Sequence, residues 1–188
     1  MATIDESKSY VELNNFFADL VESMLGLTQD KVRIQYQAEG QPMPKFGEDM
    51  VFINVQPEID ERNIYKSRQE VYNNTNDNFT YIQKSQRTLV AEFIFYGNHA
   101  NENAKIVNES IYFPNYEYML SQYDLALVPD RTDGPNKMPE LVNGRWWNRS
   151  DLKMRFYNLV SYKTTIDRIA NVEITVETEG GLIEHISE

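Results

Sequence analysis

The stretch Leu89-Val90-Ala91-Glu92-Phe93-Ile94-Phe95-Tyr96, closed by Gly97, decides the fold. Odd and even positions alike are apolar apart from Glu92, so a strand here would bury both of its faces. Such a strand is expected at the centre of a sheet covered on both sides. Upstream the same extended segment reaches back to Phe79 and turns polar over Lys84–Arg87, so its outer half is expected to leave the core. Before it come the Asn-rich run Asn73–Asn78 and a polar, mildly strand-like segment from Arg62 to Tyr72. Two long segments joined by a polar tip read as a projecting β-hairpin. Downstream, a helix is expected to start near His99 or Asn101, with Ala100, Ala104, Val107 and Ile111 on one face and Pro114 at its end.

Working outward, residues from Ser7 to Leu25 repeat apolar side chains at three- and four-residue steps: Tyr10, Leu13, Phe17, Leu20 and Met24, widened by Phe16 and Val21. This is an amphipathic helix, with Asp5 or Ser7 able to cap its start and Gly26 to end it. A strand is expected over Lys31–Tyr36, then a loop from Gln37 to Glu48 containing Pro42 and Pro44, then a strand over Met50–Gln56 stopped by Pro57. The segment Asn115–Gln122 leads to a strand at Leu125–Val128, and Pro129–Asn148 reads as a long loop. Alternation then predicts two strands, one carrying Leu152, Met154 and Phe156, the other Val172, Ile174 and Val176. Residues from Gly180 to Glu188 read as a polar tail that is flexible or ordered by a partner. The whole is one α+β domain of 188 residues: a mixed, mostly antiparallel sheet with the N-terminal and second helices packed on it.

Composition narrows the function. There is no cysteine, which excludes disulfides and thiolate metal sites and suits a reducing cytosol. No apolar run approaches the roughly 20 residues that span a bilayer, and Met1–Glu6 lacks a secretory leader's basic start and apolar block. The formal charge is −11 and unevenly spread. Residues 1–130 hold ten Lys/Arg against twenty Asp/Glu, residues 131–168 hold eight against four, and residues 170–188 hold five Glu and no base. An acidic body is a poor grip for a phosphate backbone. Regions of opposite sign on one chain suit head-to-tail packing of identical copies, although acidity also simply keeps a monomer in solution.

Catalytic motifs are scarce. His99 stands at a strand-to-helix junction, where capping or packing is expected, and His185 lies in the tail. Neither has ligand spacing to a second His or carboxylate on one element, so neither a metal nor any other cofactor is expected. The sequence shows no phosphate-binding glycine loop, nucleophile elbow or dinucleotide fingerprint. Glu58, Asp60 and Glu61 follow a strand end, as a solvated turn would. Trp146 and Trp147 are more informative, because neighbours in an extended chain point opposite ways. One ring can enter the core while the other faces solvent beside Arg145 and Arg149, or a loop can bury both. Trp and Arg are enriched at interface hot spots. The candidate contact residues are therefore Arg62, Arg68, Asn74, Asn76 and Arg87 on the hairpin, with Arg145, Trp146, Trp147 and Arg149 in the late loop.

The order of elements resembles the tail terminator (neck) proteins of tailed bacteriophages over nearly the whole chain. Ala91-Glu92-Phe93-Ile94-Phe95-Tyr96-Gly97-Asn98-His99-Ala100-Asn101-Glu102-Asn103-Ala104 looks like that family's strand ending in Tyr-Gly before a helix with spaced alanines. Leu141 to Leu152 looks like its late loop and strand, and Gln41–Pro44 like its proline loop. The resemblance implies a structural, non-enzymatic virion protein assembled in the host cytoplasm. It implies a ring, typically a homohexamer, that caps the tail tube, stops its growth and docks the head connector while DNA passes through unread. Two alternatives remain open. One is a different head–tail connector or tail completion protein; the other is a small-molecule-binding or hydrolytic domain with a deep pocket under Pro129–Asn148.

Overall fold

Ser9 starts the first element of the computed structural model, which describes residues 8–36, 44–58, 66–74, 78–129, 134–167, 174–177 and 183–186, with side chains only up to residue 165. Helix α1 (Tyr10–Leu25) opens with a capping box: the Ser9 hydroxyl accepts from the Glu12 N–H at 3.2 Å, and the Glu12 carboxylate accepts from the Ser9 N–H at 2.7 Å. Those hydrogen bonds hold the Glu12 carboxyl below its ordinary range. The cap is thus Ser9, not the expected Asp5 or Ser7, which lie outside the described residues. Gly26 ends the helix in the left-handed conformation, as expected. Leu13, Phe16, Phe17, Leu20 and Val21 enter the core, whereas Tyr10 stays exposed. Asn14 is also buried. Its side-chain amide donates to the Tyr10 carbonyl, and its oxygen accepts from the Val55 N–H at 3.0 Å, tying the helix to the sheet.

The remaining elements are β1 (Val32–Ile34), β2 (Met50–Pro57), β3 (Lys66–Asn73), β4 (Asn78–Tyr96), α2 (Ala100–Ser110), α3 (Pro114–Ser121), β5 (Leu125–Leu127), β6 (Asn136–Lys137), β7 (Glu140–Val142), β8 (Arg145–Trp147), β9 (Arg149–Asp167), β10 (Ile174–Glu177) and β11 (Ile183–Ile186). The main sheet has the order β1-β2-β4-β9-β5, with β3 on β4 and β6 on β9. Only the β1–β2 pairing within it is parallel, so the sheet is mixed and mostly antiparallel. Strand β4 is central. Its Leu89, Ala91, Phe93 and Phe95 side chains point at α1 and α2 and are buried with Phe17, Ile53, Leu152 and Phe156. Phe17 sits 4.9 Å from Phe156 and 6.0 Å from Phe93, ring centre to ring centre.

The sequence differs from this structure in four places, each with a physical reason. The opposite face of β4 is not roofed by a second layer. Val90 is buried there, but Glu92 and Ile94 are half-buried, with Glu92 paired to Lys153 and Glu58 to Arg155, and Tyr96 is half-buried against Glu140 and Trp147. Aliphatic stems and ion pairs shelter that face instead of helices. Helix α2 ends at Ser110, and Pro114, expected to end it, instead begins α3, since proline suits the first helical position. Of the two expected C-terminal strands, the first is β9, extended to 19 residues by its pairing along β4, and the second is β10; β10 pairs with β11, which gives residues 183–186 an intrachain partner where a tail was expected. Lastly, the Pro129–Asn148 loop contains β6 and the β7–β8 hairpin, because Asn143-Gly144 forms a tight turn with φ of 50° and 75°.

Strand β4 at 19 residues spans roughly 60 Å, far beyond the usual strand. Its inner half belongs to the core. Its outer half, with β3 and the distal part of β9, forms a three-stranded ribbon whose end is pinned by the Tyr72–Phe79 rings, 5.1 Å apart. The long hairpin is therefore present, with β9 as an added strand.

Candidate interaction surfaces

The β7–β8 hairpin is the most elaborated surface. Alternation turns Glu140 and Trp147 toward the sheet and turns their neighbours Leu141 and Trp146 outward as a cross-strand pair. Trp147 is 9% exposed; Trp146 and Leu141 are 67% and 56% exposed. The split between the two tryptophans is one of the two arrangements the sequence leaves open. Inward, Trp147 meets Phe46 at 5.6 Å and Tyr96 at 6.2 Å, both edge to face. Arg145 lies over the Phe46 ring at 5.5 Å.

A polar clamp fixes the hairpin to the sheet. The Tyr96 hydroxyl donates to Glu140 at 2.6 Å, and Arg149 donates to the same carboxylate oxygen at 3.0 Å. Arg149 also grips Asp151 through two bonds of 2.7 and 2.8 Å, the bidentate geometry of a strong pair. Burial, helped by the bond to Glu140, pushes the Tyr96 hydroxyl up to about 12. The bonds from Tyr96 and Arg149 hold Glu140 below its ordinary value, and Asp151 raises Arg149 further. Arg149 is thus largely sheltered and builds the hairpin's platform, whereas Trp146 and Met138 remain available to a partner.

On the ribbon, Arg68 is exposed on β3 and Asn74 is exposed beside the tip, whereas Arg62 and Asn76 lie outside the described residues. Arg87 turns inward. Its Nε donates to buried Asn158 at 2.7 Å, and its guanidinium lies 5.2 Å over the Tyr10 ring, so it joins β4 to α1. Sequence spacing cannot reveal this, because Tyr10 and Asn158 are remote in the chain. The exposed aromatic set Tyr112, Phe113 and Tyr118 around α3 also escaped the sequence reading.

At the β4–α2 junction, Asp49 caps the helix. Its carboxylate accepts from the His99 N–H at 2.9 Å and lies 2.7 Å from His99 Nδ1, which raises the exposed imidazole's pKa. Gly97 adopts φ of 113°, and a Cβ there would stand 2.3 Å from Asp49 Oδ1. Beside this junction an open cleft of about 220 Å³ runs between the start of α2 and the β6–β7 connection, with Asn101, Glu102, Lys137 and Arg149 on its walls. It lies where the small-molecule reading wants a deep pocket, yet falls short of the roughly 300–1,000 Å³ of ligand sites. Among the described residues no group of three or more His, Asp or Glu is placed to hold a metal, and no helix is long and apolar enough to cross a membrane.

The described residues thus combine a sheet with helices on one face, an ion-paired second face, a three-stranded ribbon and a clamped hairpin that holds Leu141 and Trp146 in solvent. Residues 11–180 match the phage neck terminator protein family, and the chain belongs to it. No curated protein matches the sequence. Membership makes this a structural protein of the bacteriophage neck and tail that interacts with other tail and head proteins.

Proposed function

We propose that copies of this chain form a ring, a homohexamer, that seats on the last ring of the tail tube, stops its polymerisation and offers the docking surface for the head connector. The observation that carries the reading is the Leu141–Trp146 pair, two large apolar side chains held in solvent on a hairpin that is itself clamped. Large apolar groups on a rigid platform bind with little ordering cost. DNA passes through the channel, and the net charge of −11 supports a lumen that repels rather than grips it. Contacts fall on the ribbon, the Gln37–Glu48 loop, the Arg145–Arg149 segment and the C-terminal residues 179–188, with assembly in the host cytoplasm before the ring joins the virion.

Mass measurement in solution tests this, with the protein alone and with its cognate tube protein. Rings and shortened tubes are expected, and the Leu141→Ala/Trp146→Ala double variant should fold but dock more weakly. A chain that stays monomeric and never joins tubes, even at high concentration, overturns the proposal.

A further inference from the structure

The ribbon has two outer edges, and among the described residues no strand lies along either. One edge is β3 over Lys66–Asn73, whose strand partner among the described residues is β4. The other is the distal part of β9, because β5 ends its pairing at Asn158. Leu159 turns its N–H outward to the Asp124 carbonyl at 3.0 Å, and strand alternation turns the backbone groups of Ser161 and Thr165 the same way. Neither edge contains proline, and the register on β4 runs without a bulge from end to end. Without proline or a bulge an edge keeps a regular backbone that can template another strand, while the charges on these two, Lys66, Arg68 and Glu70 on β3 and Lys163 on β9, restrict which strand each accepts.

We infer that successive copies in the ring join edge to edge, β3 of one copy pairing with the distal half of β9 of the next. This rests on the ring reading above and adds the surface that closes it. Direction comes first. Both β3 and β9 run antiparallel to β4, so they run parallel to each other. Rotation about a ring axis preserves the direction of strands that run along that axis, so ribbons standing along the axis and side by side form a parallel ladder at each joint. The two surfaces are different, which makes the contact heterologous, the type that repeats and closes into rings.

The side chains agree. Through β4, Ser67, Lys84 and Ser161 share one level, as do Arg68, Gln83 and Tyr162, then Gln69, Ile82 and Lys163, then Val71, Thr80 and Thr165. Ribbons set side by side without offset place Ser67 against Ser161, Arg68 against Tyr162, Gln69 against Lys163 and Val71 against Thr165. No like charges meet, and Arg68 gains an aromatic neighbour on its own face of the sheet.

Because the chain has no cysteine, engineered pairs report this joint directly. Adjacent strands lie about 4.8 Å apart, within disulfide reach. The full chain carrying Ser67→Cys with Ser161→Cys is oxidised gently and run on a non-reducing gel. Two further pairings, Gln69→Cys with Ser161→Cys and Gln69→Cys with Thr165→Cys, cover offsets of one step either way. A ladder from dimer up to the closed ring is expected in at least one double variant and in no single variant. A ring by mass that gives no ladder in any pairing overturns this joint and leaves the ring reading standing. Dimers from Ser67→Cys alone would show β3 meeting β3 across a two-fold axis, which also overturns it. A strictly monomeric chain overturns both.

Discussion

Weakening the Tyr96–Glu140 bond should loosen the β7–β8 hairpin without disturbing the core. Tyr96→Phe deletes the hydroxyl that donates to Glu140 at 2.6 Å and leaves the ring between Phe52 and Trp147. A hydrogen bond to a charged group is worth about 1.5–3 kcal/mol, and partial exposure of the Glu140 side chain lowers this to about 1 kcal/mol. Glu140→Gln is the partner variant, since Arg149 keeps its two bonds to Asp151. A double-mutant cycle on these residues should give a coupling of about 1 kcal/mol. The assay is unusually local. The chain has two tryptophans and both lie on β8, so their emission and acrylamide quenching report this hairpin. Each single variant should red-shift emission and expose Trp147. The pH profile follows from the same bonds. Glu140 is depressed in the folded state, so its contribution is present above the ordinary carboxylate value and is lost as pH falls through the lower folded one. Acid should therefore red-shift the emission, and Tyr96→Phe should move that transition to higher pH. Tyr96 is raised, so its contribution holds below pH 10 and disappears as pH climbs through about 12. A coupling within the roughly 0.3 kcal/mol expected of independent sites, with Trp147 unchanged in quenching, would refute the clamp.

Other outcomes follow from the same contacts. Gly97→Ala must combine a positive φ with a Cβ 2.3 Å from Asp49 Oδ1, so denaturant unfolding should show a loss on the order of 2–4 kcal/mol. Asn14→Leu leaves the buried Val55 N–H without its acceptor and should cost about 1–3 kcal/mol, with hydrogen exchange at the Val55 amide rising more than at neighbouring core amides. His99 should titrate above an ordinary histidine by NMR. Being raised in the folded state, it supports the junction at low pH and loses that support as pH rises through its folded value; Asp49→Asn should return it toward normal.

Local rules made part of this protein legible. The capping box Ser9-Tyr10-Val11-Glu12 and the Asn143-Gly144 turn are both written in the sequence, and they mark the start of α1 and the tip of the β7–β8 hairpin. Pro114 was visible too, but a proline that stops a helix and one that starts a helix look alike until the chain direction after it is known. The interaction surface was half legible. Adjacency in an extended chain leaves open a split pair or two buried rings; that the pair is split, and that Trp147 is the inward ring, depends on Phe46 and Tyr96, brought together from distant segments.

By itself the sequence determined the class and the centre of the fold: an α+β domain whose Leu89–Tyr96 strand occupies the middle of the sheet, with Gly97 turning it into α2. Periodicity and backbone sterics are local properties, and they survive folding unchanged. Tertiary structure decided which arginines could serve a partner. Arg87 and Arg149 are drawn inward by Asn158, Asp151 and Glu140, whereas Arg68 stays outside. It also decided that β9 runs the full length of β4 and turns a hairpin into a three-stranded ribbon. The Arg87–Asn158 contact joins residues 71 positions apart, and the β4–β9 ladder likewise joins separate segments; both depend on registers and charges meeting in space, and no short window along the chain contains both halves of either contact.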